Sequence, residues 1–302
     1  MSGVEESFDI TMCCASCGIG QVDDIKLKKC TACYLVRYCS VKCQKEHRPQ
    51  HKRECKKRAA ELRDKLLFKQ PESSDLGDCP ICFLPLAVDN DTSTIMACCS
   101  KKICNGCAYA NREHELEGKL EERCPFCRYP VPDTEDEALK NHMKRVEAND
   151  PVAMCQMGWK FFIDGDYKSS FLYWTKAARL GNAESHYQLS RLYREGEGVE
   201  KDKKKELHHL EEAAICGHPN SRHNLGCIEG SRGEYARATK HLIIAAKLGF
   251  DPSLELLKEN YVNGHVSKED LAGALRAHQA AVDATKSVQR EVGQAARSMA
   301  CR

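Results

Sequence analysis

Closely spaced cysteines dominate the chemistry that this sequence can perform. The chain holds 20 cysteines in 302 residues, and sixteen of them lie between Cys13 and Cys127. Most of the sixteen form Cys-x-x-Cys pairs, and such a pair presents two thiolates to one metal ion. Two pairs, or one pair and two ligands on a helix face, complete a tetrahedron. Because sulfur-rich tetrahedral sites suit zinc, zinc is the metal that we expect.

A secreted disulfide framework is the alternative interpretation of so many cysteines. The N-terminal residues MSGVEESFDI lack the basic and apolar segments of a secretory signal. No run of about 18 apolar residues predicts a transmembrane helix. We therefore expect a protein of the cytoplasm or nucleus, not a secreted one, in which paired cysteines bind metal rather than form disulfides.

A first set of eight candidate ligands lies near the N-terminus. The set is Cys14, Cys17, Cys30, Cys33, Cys39, Cys43, His51 and Cys55. Cys39 and Cys43 are four residues apart, as are His51 and Cys55, so each pair can project from one helix face. A segment of about 40 residues has little apolar core, so metal binding must supply most of its folding energy, about 10–16 kcal/mol per zinc ion. Protein ligands fill every position, so we expect a structural site rather than a catalytic one.

The ligand spacing and the string YCSVKCQKEHRPQHKREC at 38–55 resemble the MYND zinc finger, with Tyr38, Ser40 and Gln44 at positions typical of that family. The resemblance covers residues 14–55 and implies two zinc ions held in an interleaved pairing. One ion would take Cys14, Cys17, Cys39 and Cys43, and the other Cys30, Cys33, His51 and Cys55. The family binds short proline-rich peptides, so we expect a protein or peptide partner here.

A second set of candidate ligands follows a polar linker. The set is Cys79, Cys82, Cys98, Cys99, Cys104, Cys107, Cys124 and Cys127. Residues 79–130 resemble a RING-type zinc finger, whose interleaved pairing would give Cys79, Cys82, Cys104 and Cys107 to one ion. Lys101 occupies the usual fourth ligand position, and an ammonium group cannot coordinate zinc. Either Cys98 joins Cys99, Cys124 and Cys127, or the second site is incomplete, so this finger would hold one or two zinc ions.

The RING resemblance also implies an activity, which is carried by surface residues rather than by the metal. RING fingers hold a ubiquitin-conjugating enzyme and its thioester-linked ubiquitin in a reactive pose. Ile81 and Pro125 match two docking positions for the conjugating enzyme, and Arg128 matches the basic residue that pins ubiquitin against it. The plainer alternative is that Ile81 packs locally, Pro125 shapes its turn and Arg128 is solvated.

The second half of the chain carries an internal repeat. The strings KAARLG at 176–181, EAAICG at 212–217 and IAAKLG at 244–249 recur at spacings of 36 and 32 residues, which predicts a stacked helical array. The sequence resembles the Sel-one-like repeat, a relative of the tetratricopeptide repeat, over roughly 149–283. Glycines are expected to end the second helix of each unit. Such arrays offer a concave surface for a peptide or helix.

The predicted fold class is thus two small zinc-stabilised modules followed by an all-α helical-repeat solenoid. The expected boundaries are a flexible tail at 1–11, a MYND-type finger at 12–57, a basic helix and linker at 58–78, a RING-like finger at 79–130, a connecting helix at 131–148, Sel-one-like repeats at 149–285 and a frayed tail at 286–302.

Residues 42–69 carry 11 basic and 4 acidic side chains, a charge of 11 − 4 = +7. Phe68 is the only Phe, Tyr or Trp residue among them. Because aromatic side chains do not alternate with the basic ones, a solvated helix is favoured and nucleic acid is not the expected partner.

Three function classes were compared. The first is an adaptor that acts as a RING-type ubiquitin ligase and recruits protein partners through its MYND finger and repeats. The second is a non-enzymatic interaction scaffold with purely structural zinc fingers. The third, a MYND-bearing lysine methyltransferase, needs a methyl-donor domain, but repeats occupy the chain beyond residue 130. Neither favoured class predicts a membrane partner, and the net charge of +2 gives no global attraction to polyanions.

Overall fold

The computed structural model describes residues 13–21 and 25–300. Its contacts divide the chain into two units, Met1–Lys69 and Gln70–Arg302, which are described separately. The predicted tail at 1–11 lies outside the described residues.

The first unit is built around the first finger (residues 14–55). Strands β1 (Lys28–Lys29) and β2 (Arg37–Tyr38) pair antiparallel, with Lys28 opposite Tyr38. Helix α1 (Val41–Leu67) begins where the Ser40 hydroxyl accepts the backbone N–H of Cys43 at 3.2 Å. The helix continues to Leu67 and therefore crosses the boundary at 57/58 that the sequence predicts, so the finger and the basic segment share one continuous helix.

The second unit opens with the second finger (residues 79–127). A 3₁₀ turn at Asn90–Thr92 leads into strand β3 (Ser93–Ile95), which pairs antiparallel with β4 (Lys102–Cys104). Helix α2 (Asn105–Glu117) follows β4 directly, and the Cys104 sulfur accepts the Cys107 N–H at its start. A small hydrophobic cluster that includes Leu86 and Ile103 supports this finger from one side.

Helical pairs make up the rest of the second unit. Helix α3 (Glu135–Glu147) is capped by the Thr134 hydroxyl, which accepts the Glu137 N–H at 3.2 Å, and packs on the first helix of the array. The array consists of α4 (Pro151–Ile163), α5 (Tyr167–Arg179), α6 (Ala183–Glu195), α7 (Lys203–Ile215), α8 (Pro219–Ser231), α9 (Tyr235–Lys247), α10 (Asp251–Val262) and α11 (Lys268–Ala284). Each helix packs on the next in the chain, and the strongest pairings are α4 with α5, α6 with α7 and α8 with α9.

In the solenoid core, small residues leave space for the large side chains of neighbouring helices. The fully buried Trp174 of α5 lies against Gly158 of α4, where an added Cβ would approach the indole nitrogen to 2.3 Å. The indole N–H donates to the Cys155 carbonyl at 3.2 Å. The repeat glycine Gly181 follows α5 with φ of 85°, and Gly217 follows α7 with φ of 89°, so they end the second helix of their units as predicted.

The C-terminus differs from the sequence-based prediction. Instead of a frayed tail over 286–302, the chain forms helix α12 (Val288–Ala300), which packs against α2 of the second finger. The apolar side chains of Val288 and Met299 are 79% and 77% exposed, so they do not make this contact. The helices meet at Gly293 instead, where backbone atoms of α2 lie close to the glycine.

Candidate metal centres

The predicted ligands assemble into four clusters, each with four ligand atoms that lie within 4.8 Å of one another. The clusters are Cys14, Cys17, Cys39 and Cys43; Cys30, Cys33, His51 and Cys55; Cys79, Cys82, Cys104 and Cys107; and Cys98, Cys99, Cys124 and Cys127. In this order they are called the first to fourth clusters. The first two belong to the first finger and the last two to the second finger, with the interleaved pairing that the family resemblances imply.

The distances between sulfur atoms in the first cluster match a metal tetrahedron. The Cys39 sulfur lies 3.6 Å from the sulfurs of both Cys17 and Cys43. Four sulfurs about 2.3 Å from one zinc ion would lie about 3.8 Å apart, whereas a disulfide joins two sulfurs at about 2.05 Å. All cysteines in the described part of the chain are free of disulfides. The spacing therefore suggests zinc binding.

The second cluster includes the histidine ligand. The His51 Nε2 atom lies 3.1 Å from the Cys33 sulfur, and the Cys30 and Cys55 sulfurs are 3.7 Å apart. The His47 ring stacks on His51 with centroids 5.7 Å apart, and the Tyr38 hydroxyl lies 3.0 Å from His47 Nδ1. This chain of contacts fixes the plane of the ligating imidazole, as supporting residues commonly do around zinc.

The second finger brings both of its thiol sets together. In the third cluster the Cys82 and Cys104 sulfurs are 3.8 Å apart. In the fourth, the Cys99 sulfur lies 3.8 Å from that of Cys124, and the Cys98 sulfur lies 3.4 Å from that of Cys127. Cys98 thus occupies the place that a fourth ligand needs.

The lysine at the usual fourth position points elsewhere. The Lys101 ammonium lies 5.6 Å from the centroid of the Phe126 ring, within the range of a cation–π contact. The thiol of Cys98, three residues earlier in the chain, lies with those of Cys99, Cys124 and Cys127 instead.

The electrostatics of the bare thiols also fit a cation. Burial raises the pKa of Cys14, but backbone N–H donors, that of Cys17 first, lower it to about 6. The neighbouring thiol of Cys43, followed by that of Cys17, raises the pKa of Cys39 to about 12. Thiolates packed this closely cannot ionise together unless a cation offsets their charge, and a divalent ion does so.

Four turns share one backbone geometry that aims the cysteines inward. Each of these turns, called a knuckle, joins the two cysteines of a Cys-x-x-Cys pair. The residue after the second cysteine has a left-handed backbone conformation, and its N–H donates to the carbonyl of the first cysteine at 2.9 Å. These residues are Gly18, Tyr34, Phe83 and Arg128, with φ of 75°, 57°, 58° and 61°. Three of them are not glycine, so each of these three turns holds a sparsely populated conformation that costs on the order of 1 kcal/mol.

The three proposed docking residues lie on the surface of the second finger, and one of them has partners that the sequence did not indicate. Ile81 is 36% exposed and Pro125 is half-buried. Arg128 donates to the Asn111 side-chain oxygen at 2.9 Å, and its guanidinium lies 3.3 Å from the Glu115 carboxylate. Arg128 is therefore neither fully solvated nor free. A glutamate and an asparagine within a helix carry no sequence signal that would have identified them.

Glu115 organises the turn that carries the last two ligands. Its buried carboxylate accepts the backbone N–H of Arg123 and the side-chain N–H of Asn111, both at 2.9 Å. Asn111 also donates to the Arg123 carbonyl at 2.9 Å. The α2 helix thus holds the backbone immediately before Cys124.

A polar cavity lies where the second finger meets the repeats. It has a volume of about 680 Å³, and its lining includes Asp75, Lys102 and Trp159. Glu184 and His218, whose side chains are 3.1 Å apart, also face it. The cavity offers charged groups of both signs beside an aromatic ring.

Family models match two parts of the chain. Residues 14–55 match the MYND finger, and residues 151–182 and 183–218 match the Sel1 repeat. The human histone-lysine N-methyltransferase SMYD3 is 49% identical over 43 residues, which are 14% of this chain and 9% of that protein.

Two solved structures are similar to part of this chain. A Sel1 repeat protein from Oxalobacter formigenes is 25% identical with a TM-score of 0.44, over 51% of this chain and 66% of that one. The protective antigen c5321 of uropathogenic Escherichia coli, which has an SLR fold, is 19% identical with a TM-score of 0.40, over 56% and 37%. This chain spans less than two thirds of each of these relatives.

None of the helices that the structure describes is both long and apolar enough to cross a membrane.

MYND fingers and Sel1 repeats are protein-interaction modules, so an adaptor role is supported. The predicted fold class is confirmed: the chain has an N-terminal MYND zinc finger at residues 14–55, followed by an α-helical repeat solenoid that contains Sel1 repeats.

Proposed function

We propose that this chain is an adaptor with four structural zinc ions, two in each finger, and that its second finger is a RING-type ubiquitin ligase module. The observation that carries the proposal is the position of Cys98, whose sulfur lies with those of Cys99, Cys124 and Cys127. With it, the second finger has two complete four-thiol clusters in an interleaved arrangement. An incomplete second site was the main sequence argument against a ligase.

The ions would serve structure, and the protein surface would serve function. Each cluster has four protein ligands, which leaves no position for a reacting water. Zinc bound there would fix the two knuckles in space. Ile81 and Pro125 would then contact the conjugating enzyme, and Arg128 would contact its bound ubiquitin, which favours thioester attack by holding the reactive pose.

The first finger and the repeats would recruit partners. Tyr34 and Leu35 of the first finger are 61% and 48% exposed beside a knuckle, and an apolar surface of this kind suits a proline-rich peptide. The solenoid and the polar cavity beside it would contact a second protein segment. The expected location in the cytoplasm or nucleus remains part of this proposal.

The zinc count tests the metal sites. Native mass spectrometry of the chain should show four zinc ions, and Cys98→Ser should show three or a weakly held fourth, because a hydroxyl is a poor zinc ligand. Cys216→Ser removes an exposed thiol outside the clusters and should keep four ions. Three ions in the parent chain, unchanged by Cys98→Ser, would contradict the proposed fourth cluster.

Ubiquitin discharge tests the ligase activity. Purified zinc-loaded protein, offered a panel of ubiquitin-charged conjugating enzymes, should speed discharge to free lysine for at least one of them. Arg128→Ala should reduce that rate by about tenfold or more, since one positioned charged contact contributes about 1.4 kcal/mol or more. Arg276→Ala, which changes an exposed arginine of α11, is the matched control and should leave the rate unchanged. No acceleration with any enzyme would rule out the ligase.

A non-enzymatic scaffold is the second candidate, and the contacts of Arg128 favour it. Its guanidinium is already engaged by Asn111 and Glu115, so binding ubiquitin would require these contacts to be shared or exchanged. The scaffold predicts that partner capture by the solenoid persists while discharge is absent in the same preparation.

A further inference from the structure

The C-terminal helix reaches the third cluster through one arginine. The Arg290 guanidinium donates from Nη2 to the Cys82 sulfur at 3.3 Å and to the Leu84 carbonyl at 2.9 Å. Its Nη1 atom donates to the Pro85 carbonyl at 2.6 Å and to the Thr285 carbonyl at 2.8 Å. One side chain thus joins a candidate metal ligand, the turn that follows it and the start of α12.

Two glycines allow the helix to come this close. A Cβ atom on Gly106 of α2 would lie 2.6 Å from the Arg290 Cα, and one on Gly293 would lie 2.7 Å from the Gly106 Cα. Both contacts involve backbone atoms, which cannot rotate away. Gln289 adds a hydrogen bond of 3.4 Å from its side-chain amide to the Gly106 carbonyl. Helices α2 and α12 therefore pack backbone to backbone.

This arrangement has an electrostatic consequence for a metal site. A zinc ion with four thiolates carries a net charge of −2, and N–H donors to the sulfurs offset that charge. Arg290 supplies one such donor to the Cys82 sulfur, at 3.3 Å. A guanidinium is permanently charged and points a rigid fork of donors, so it suits this position.

We infer that Arg290 is a positioning residue of the third cluster. We also infer that α12 is a clamp, which determines how tightly the third cluster holds its zinc ion. The inference rests on the proposed zinc occupancy. Arg290 acts through Cys82 and the turn at 83–85: it holds the ligand in place and compensates the charge of the cluster. Truncation before Val288 would remove both effects at once.

The test uses the full zinc-loaded chain and a chelator in excess. In Arg290→Gln, one of the four ions should leave about tenfold faster, since the loss of a group that supports a ligand costs 10–100-fold in metal affinity. Arg290→Lys keeps the charge and should restore part of the difference. Arg297→Gln changes another arginine of α12 and should release zinc as the parent does. Alkylation of the freed thiols, followed by peptide mass spectrometry, identifies the cluster that opened.

Two glycine variants distinguish the loss of α12 docking from a general loss of stability. Gly293→Ala and Gly273→Ala both add a methyl group within a helix, but a Cβ at Gly273 meets nothing within 4 Å. Gly293→Ala should accelerate release of the same ion, whereas Gly273→Ala should not. Helix content by circular dichroism should remain at the parent level in both variants.

A spectroscopic readout shows whether the arginine affects the metal itself. With cobalt in place of zinc, the thiolate-to-metal charge-transfer band reports on the sulfur ligands. Loss of an N–H donor to Cys82 should shift this band in Arg290→Gln but not in Arg297→Gln, a change that loss of packing elsewhere would not produce.

The outcomes separate the two proposals. Four ions released at the parent rate from both Arg290→Gln and Gly293→Ala would overturn the clamp and leave the proposed function intact. An effect of Gly293→Ala without one of Arg290→Gln would overturn the role of the arginine. A parent chain with only two zinc ions would overturn the proposed occupancy of the second finger and this inference with it.

Discussion

Several single residues in this protein make contacts that their residue types alone do not indicate. Lys101 stands where the RING resemblance expects a ligand but contacts the Phe126 ring, and the Cys98 sulfur lies with the other three thiols of the fourth cluster. Arg128 combines a left-handed backbone, which the knuckle imposes, with a guanidinium held by α2. The conformation of the turn and the direction of the side chain are thus fixed together.

Glu115 is the residue on which the last knuckle depends most. Glu115→Ala would leave the Arg123 N–H and the Asn111 amide without their acceptor and Arg128 without its counter-charge. Hydrogen bonds to charged groups contribute about 1.5–3 kcal/mol each, and two are lost, so we expect a loss of about 3 kcal/mol or more in the free energy of unfolding of the zinc-loaded protein, measured with urea.

The matched control for this change lies on the same helix. Glu117 is exposed, and Glu117→Ala should change the free energy of unfolding by less than about 0.5 kcal/mol. Equal losses in the two variants would show that the Glu115 contacts do not support the finger.

At the scale of elements, helices α6 and α7 meet through a pair of histidines. The Nδ1 atoms of His186 and His209 are 3.0 Å apart, and His186 Nε2 lies 3.2 Å from the Ala178 carbonyl. The Tyr193 ring stacks on His209 with centroids 5.7 Å apart. Burial, followed by His186, lowers the pKa of His209 to about 4. The folded repeat therefore favours the neutral imidazole.

This pair predicts a pH dependence of stability. His209 has a lower pKa in the folded state than the unfolded value of about 6.5, so protons bind the unfolded chain preferentially. The stabilisation is complete above pH 6.5 and is lost as the pH falls towards 4. After a discount for partial exposure, the free energy of unfolding should fall by about 1 kcal/mol between pH 7.5 and pH 5.

Variants of His209 and His208 separate the contribution of the histidine pair to this pH dependence from that of the metal sites. His209→Phe keeps the stacked ring and removes the titration, so its free energy of unfolding should fall less over the same range, as measured by urea unfolding. His208→Gln, which changes the exposed neighbour, should follow the parent. Parallel curves for the parent and His209→Phe would exclude the histidine pair as the cause.

The elements themselves were predictable to different degrees. Ligand spacing indicated the knuckles and the pairing of Cys39 with Cys43, because the i, i+4 rule is local. The repeat glycines, such as Gly181, marked helix ends for the same reason. The contact of helix α12 with α2 was not predictable, since it is made at the backbone of Gly293 with a helix far away in the sequence. The contacts of Arg128 with α2 also depend on packing between segments that are not adjacent in sequence.

At the scale of the whole molecule, the second finger and the repeats belong to one unit, Gln70–Arg302. The backbone N–H of Asp75 lies 3.3 Å from the Gly217 carbonyl, so the segment before the finger is bonded to the second repeat. The predicted domain boundaries within this half of the chain, at 130/131 and 148/149, remain predictions. Helix α3, which precedes the second of them, packs on α4, which follows it.

The partner of Cys82, Arg290, lies 208 positions later in the chain, and this separation affects how the protein is made. At about 5–20 residues per second, a ribosome needs roughly 10–40 s to proceed from one to the other. Once Cys127 has been made, the nascent second finger has all of its thiols but still lacks the helix that packs against it. A message that stops before Arg290 would yield a chain with every thiol of the second finger and without the guanidinium that contacts Cys82.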